Sequence, residues 1–239
     1  MIKLENKNFI SSIYNFSKRN GNIISISGKA GTGKTTLGLQ IVSNVLTNEI
    51  SYENRCIWIQ ASEIFPKKRL ISLFKKSPGM LNYLLRNIFI YPVQKPFSNY
   101  RDQSNFFNQL VSLILPSNVK FIVIDNISHH LRFAISLYTD IKRRAILFDQ
   151  FFSSQLFPLI MRCLRENIVL ILLHEVSFDP ALGKIQPFFN KLYSRIQAVN
   201  IKLSKDFNSK TKKMEIICGD KPQIRKFSYE IRDNGISRL

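Results

Sequence analysis

Cysteine is scarce. Cys56, Cys163 and Cys218 are odd in number, widely spaced and set in apolar surroundings. That excludes a disulfide framework and offers no metal-binding pattern, and the three read as buried thiols of a reducing compartment. Long apolar runs are missing as well. The longest, around Ile168–Leu173, is too short to span a bilayer, so a membrane is not an expected partner. Met1–Asn8 is charged and no apolar stretch follows it, which is not the layout of a secretory leader, and a cytoplasmic location is expected. Acidic residues are few: 16 Asp and Glu stand against 35 Lys and Arg, for a formal charge of +19. Such an excess points to a polyanionic partner, nucleic acid first of all. A coding bias toward Lys, Asn, Ile and Ser would produce the same excess. No internal repeat or low-complexity linker divides the 239 residues, and 45% hydrophobic content suffices for one large core.

What is present begins at Gly28–Lys29–Ala30–Gly31–Thr32–Gly33–Lys34–Thr35, a full match to the phosphate-loop pattern G-x-x-x-x-G-K-[ST]. The apolar run Asn22–Ser27 before it has strand character, and Thr36–Leu46 after it carries apolar residues at helical spacing. Strand, glycine loop and helix are the context this motif requires. The glycines let backbone N–H groups curl around phosphate oxygens, and the helix N-terminus adds its positive dipole end. Lys34 would reach the β- and γ-phosphates of ATP, while the Thr35 hydroxyl would hold Mg²⁺. No N-K-x-D guanine signature, L-S-G-G-Q motif or arginine-rich lid points toward a GTPase, a transporter ATPase or a small-molecule kinase.

Further along, Arg55–Gln60, Asn87–Val93, Val119–Asp125 and Ile168–Leu173 read as strands, with helices near Leu4–Asn20, from Lys67, over Met80–Arg86, Asp102–Leu115 and Phe133–Asn167. In Asp102–Leu115, Phe106, Leu110, Leu113 and Ile114 have core spacing. Apolar strands alternating with helices predict an α/β fold with a mainly parallel sheet covered on both faces. Gln197–Lys202, Lys213–Cys218 and Lys226–Ile231 alternate like half-exposed strands and predict a C-terminal antiparallel extension. Ligands of such sheets bind outside the strands' C-terminal ends. Ser62 and Glu63, Asp125, and His174 and Glu175 all fall at such ends beside the phosphate loop, so these polar residues are expected in one site, with Asp125 beside Thr35 on the Mg²⁺ water shell. His129–His130 reads as a helix start; adjacent side chains diverge and no nearby Cys or carboxylate completes a metal set.

Taken in order, these segments resemble the ATPase core of the RecA/RadA recombinases, above all the short archaeal RadB-like paralogs. The resemblance rests on Gly28–Thr35 with Thr36–Gln40, Trp58–Leu70 with Phe65 and Arg69, Asn87–Tyr91 with Gln103, Asp125–Asn126 with Arg132, His174–Val176, Asp220–Pro222, and Phe227–Ile231 with Asn234–Ile236. It implies a RecA-type P-loop NTPase over residues 21–239, with residues 1–20 as a helix and linker on that core. It also implies a cofactor set of ATP and Mg²⁺ held by Gly28 through Thr36 and Asp125, and Glu63 or Glu175 as the carboxylate that positions water. Ser62 stands where the family has its glutamate, Glu175 where it has a sensor glutamine, and the loop Ser177–Phe188 is short. The resemblance therefore favours a weak DNA-dependent ATPase, accessory to recombination and repair, with sequence-independent contacts to the DNA backbone or to a recombinase or paralog protein. Lys142–Arg143–Arg144 is the candidate for those contacts, with nucleoid association as the consequence, and Asp220 is a candidate cap over a neighbouring subunit's ATP. A non-hydrolysing nucleotide-dependent scaffold, or a KaiC-like signalling ATPase without a DNA role, fits the same residues.

Overall fold

The computed structural model describes residues 6–48, 53–179, 183–188, 190–205, 211–218 and 223–239. Helix α1 (Asn6–Arg19) buries Phe9, Ile10 and Ile13 and packs against α2. Strand β1 (Ile23–Gly28) is buried throughout and leads through the glycine loop into α2 (Lys34–Asn48). Then come β2 (Arg55–Gln60), α3 (Lys67–Leu73), α4 (Pro78–Asn87), β3 (Ile88–Tyr91), α5 (Tyr100–Leu110) and β4 (Val119–Asp125). The next stretch holds α6 (His129–Ser136), α7 (Ile141–Phe151), a π turn at Phe152–Leu156, α8 (Phe157–Arg165) and β5 (Val169–His174). Last are β6 (Val176–Asp179), β7 (Lys184–Pro187), α9 (Asn190–Tyr193), β8 (Val199–Lys205), β9 (Lys212–Cys218), β10 (Gln223–Arg232) and β11 (Gly235–Arg238).

The main sheet has nine strands in the order β11-β10-β9-β8-β1-β5-β4-β2-β3. From β3 to β8 the pairings are parallel, and from β8 to β11 they are antiparallel, as the two halves of the sequence pattern require. Alternate residues of a strand face opposite sides. Thus Ile24, Ile26, Cys56 and Trp58 enter the core under α1 and α2, whereas Ile57, Ile59, Ile122 and Leu170 enter the core shared with Phe106, Leu131 and Leu159. At the edge, β3 leaves Phe89 and Tyr91 exposed. Cys56 and Cys163 are buried free thiols, and burial pushes both up, Cys163 to about 12.

Three expectations change or gain detail. The helix placed over Asp102–Leu115 stops at Leu110, and Leu113 and Ile114 are exposed. The buried Arg162 guanidinium, paired with Glu166, donates to the carbonyls of Leu110 and Leu113 and so caps the helix end from a distant part of the chain. The helices expected over Phe133–Asn167 are separated before α7, where Asp140 accepts from the Lys142 N–H at 2.8 Å as an N-cap. The short loop after β5 is itself a hairpin, with Ser177 opposite Gln186. The tail segment Asp206–Lys210 and Asp220 lie outside the described residues.

Candidate functional site

The β1 end and the α2 start confine the glycine loop. Gly31 and Gly33 have φ of +74° and +92°, a region that side chains disfavour. A Cβ on Gly28 would lie 2.6 Å from both the Leu203 carbonyl oxygen and the Thr32 Oγ1, and one on Gly33 would lie 2.8 Å from Ile231 Cδ1. The loop is therefore built for glycine on both its inner and outer sides. Thr32 turns inward: its hydroxyl donates to the Lys29 carbonyl at 2.8 Å, and its own carbonyl accepts from the Tyr229 hydroxyl at 2.7 Å. Strands β10 and β11 thus form the wall behind the loop. That wall was not foreseen, because in the sequence Tyr229 is only one residue of the half-exposed strand Lys226–Ile231.

In front of the loop lies a cavity of about 540 Å³. Gly28, Lys29, Ala30, Gly31, Lys34 and Thr35 form one side of it. Glu63, Asp125, Asn126, Arg132 and Glu175 come from the ends of β2, β4 and β5 and from α6. Of the residues expected in the site, Thr32, Gly33, Thr36, Ser62 and His174 do not line this cavity. Thr36 accepts from Arg69 Nε at 3.3 Å.

The Thr35 hydroxyl donates to Asp125 Oδ2 at 2.9 Å. This is the pair expected to share a divalent cation, held together across 90 residues of sequence. Lys34 curls over the loop and donates to the carbonyls of Gly28 at 2.8 Å and Lys29 at 3.3 Å. Burial lowers the Lys34 pKa, opposed by the charges of Asp125, Glu175 and Glu63. Burial also raises the Asp125 carboxyl to about 6, with Glu63 adding to the rise while the Thr35 bond and Lys34 oppose it.

The Asp125 shift fixes a pH dependence. An acid whose pKa is raised in the fold binds its proton more tightly there than in the unfolded chain. Its stabilising effect is complete below the ordinary carboxylate value and is lost as pH rises through about 6. In urea unfolding, the difference in stability between wild type and Asp125→Asn is expected to change by about 2 kcal/mol from pH 4 to pH 7. Added Mg²⁺ should restore wild-type stability at pH 7, since a cation offsets the buried charge. A flat difference across that range would contradict the assignment.

The β2 end shows how Glu63 reaches the cavity although Ser62 has the expected register. The N–H groups of Ala61, Ser62 and Glu63 converge on the Asp125 carbonyl at 2.7, 3.1 and 3.5 Å. The chain curls there, and Glu63 comes to the cavity rim. Ser62 instead accepts from the Asn126 N–H at 3.4 Å. His130, at the expected helix start, lies 2.9 Å from the Ala61 carbonyl oxygen through Nε2.

Glu175 is held by neighbours that sequence reading did not connect to it. Asn126 Nδ2 donates to Oε1 at 3.1 Å, His129 Nδ1 lies 3.7 Å from Oε1, and Arg132 Nη1 lies 3.5 Å from Oε2. The Arg132 guanidinium also sits 4.2 Å from the Phe188 ring centroid, and the Phe188 N–H donates to the Glu175 carbonyl at 3.0 Å. Next to it, His174 is buried, and burial lowers its pKa to about 3, so its ring is neutral. Among the described residues, no cluster of His, Cys, Asp and Glu suits a structural metal, and no helix is long and apolar enough to cross a membrane. Lys142 and Arg143 are exposed on the first turn of α7, beside the exposed Leu137 and Ile141.

Comparison with known proteins agrees with this architecture. Residues 8–77, fewer than a third of the chain, match the family model of the NB-ARC domain. The chain is similar to the crystal structure of the RadB recombinase, with a TM-score of 0.69 at 20% identity, over 92% of this chain and 91% of that one. No curated protein matches by sequence. The fold is that of a RecA-type P-loop NTPase: a mostly parallel sheet with helices and an antiparallel C-terminal segment.

Proposed function

We propose that this protein is an ATP- and Mg²⁺-binding RecA-type ATPase of low turnover that serves DNA recombination or repair as an accessory factor. The observation that carries the nucleotide part is the Thr35–Asp125 contact at 2.9 Å, set beside a loop that has no room for a side chain at Gly28 or Gly33. Thr35 and Asp125 would hold Mg²⁺, Lys34 would leave the loop carbonyls for phosphate oxygens, and the N–H groups of the loop would cradle the phosphates. A cavity of about 540 Å³ is large enough for a triphosphate. Mg²⁺ would neutralise phosphate charge; Glu63, exposed on the rim, would orient the attacking water. The likeness to a recombinase and the charge of +19 support DNA as a partner, contacted through its backbone by residues such as Lys142 and Arg143.

The test is ATP hydrolysis by the purified protein with and without single-stranded DNA, at low and moderate salt, with nucleotide binding followed in parallel. Slow turnover that DNA stimulates, more strongly at low salt, is expected. Glu63→Gln should lower that turnover about 100-fold and leave ATP affinity near wild type. A larger loss in Glu175→Gln would transfer the role to Glu175. A second reading is favoured by one observation: Glu175 is already tied to Asn126, Arg132 and His129, and Ser62 occupies the register of the missing glutamate. On that reading the protein binds ATP without turnover and serves as a nucleotide-gated scaffold. Tight binding with no turnover under any DNA condition would establish it.

A further inference from the structure

We propose that Arg132 is a γ-phosphate ligand supplied by the same chain, exchanging Glu175 for the terminal phosphate when ATP enters. The inference rests on the nucleotide-binding reading above and goes beyond it to how the site tells ATP from ADP. Arg132 lines the same cavity as Lys34, Thr35 and Asp125, and comes from α6, away from the glycine loop. Its side chain is about half exposed, and its contact with Glu175 is a single approach of 3.5 Å. An exposed ion pair of that length contributes little and is easily exchanged.

Glu175 does not depend on Arg132 alone. When the guanidinium leaves, the carboxylate keeps the Asn126 hydrogen bond and the His129 ring. The guanidinium in turn has a fixed fork of donors, of which Nη1 lies 3.5 Å from Glu175 Oε2, and a phosphate matches that fork better than one carboxylate oxygen at that distance. Phe188 restricts the search. With its ring 4.2 Å from the guanidinium carbon, it holds the head at the cavity rim. A cation placed by the chain itself at the terminal phosphate offsets charge that ADP does not carry, so its effect is confined to ATP.

The experiment measures equilibrium affinities for Mg²⁺ with ADP and with a non-hydrolysable ATP analogue, by calorimetry, in wild type, Arg132→Ala, Arg132→Lys, Glu175→Gln and the surface control Arg101→Ala. Wild type should prefer the analogue. Arg132→Ala should lose about tenfold for the analogue and change little for ADP, Arg132→Lys should recover part of the loss, and Arg101→Ala should behave as wild type. Glu175→Gln, which removes the competing charge, should bind the analogue at least as tightly as wild type. An unchanged preference in Arg132→Ala, or an equal loss for both nucleotides, would overturn the proposal while leaving nucleotide binding intact. Failure of wild type to bind either nucleotide would overturn the underlying reading with it. Thermal unfolding of each variant guards against loss of the fold.

Discussion

Replacing Lys34 by Ala is expected to weaken Mg·ATP binding by about 100-fold or more. The ammonium already bends inward over the glycine loop, 2.8 Å from the Gly28 carbonyl. With nucleotide present, the same group would exchange carbonyl oxygens for phosphate oxygens. Hydrogen bonds between charged partners contribute about 1.5 to 3 kcal/mol each, and Lys34 can offer more than one. A loss of about 3 kcal/mol is about 100-fold in affinity. Burial has already lowered the Lys34 pKa, so the ammonium gains from a polyanion at close range. Removing it also releases the Gly28 and Lys29 carbonyls, and the fold should be checked by thermal unfolding. Titration with a fluorescent ATP analogue reads the effect. Unchanged affinity would mean that the nucleotide, if bound at all, is not on this loop.

Trp58→Ala is expected to cost about 3 to 5 kcal/mol of folding stability. Trp58 is fully buried in the core under α2, edge-on to Phe65 with ring centroids 5.3 Å apart. Gly38 of α2 lies against it: a Cβ there would be 3.6 Å from the indole ring. Among the described residues its indole nitrogen has no hydrogen-bond partner, so the loss would be one of packing. A single domain has about 5 to 15 kcal/mol in total, so this one change removes a large share. Trp58→Phe should recover most of it, because a smaller aromatic ring still fills much of the volume. Urea unfolding of both variants decides the matter; equal midpoints for Trp58→Ala and wild type would contradict it. Phe65 adjoins the cavity rim at Ile64 and Pro66, so the Ala variant should also bind nucleotide less tightly.

Much of this was legible in sequence because it is local. The glycine loop, the strand before it and the helix after it need only a short window. The apolar strands reveal a parallel sheet because burial on both faces leaves no polar alternation, and the tail reveals itself by having that alternation. Asp125 was legible as the carboxylate ending such a strand. What was not legible depends on pairs far apart in the chain. Leu113 and Ile114 have helical spacing, yet the helix ends at Leu110 because Arg162, some fifty residues on, takes its carbonyl. The partners of Glu175 are hidden for the same reason: Asn126, His129 and Arg132 lie on a turn and helix some forty-five residues before it. Glu63 looked one residue out of register, and only the curl of Ala61–Glu63 around one carbonyl explains its position at the rim.

The wall behind the glycine loop has a consequence for synthesis. Thr32 is braced by Tyr229, and Gly33 faces Ile231 and Ile236, residues about 200 positions later. At 5 to 20 residues per second, a ribosome delivers that wall roughly 10 to 40 s after the loop. Until then the loop has its sequence but not its backing, and a nascent chain has no finished pocket with which to capture nucleotide. ATP is therefore poorly placed to act as a template during translation. Its capture would instead mark a chain that has been made at least through β11.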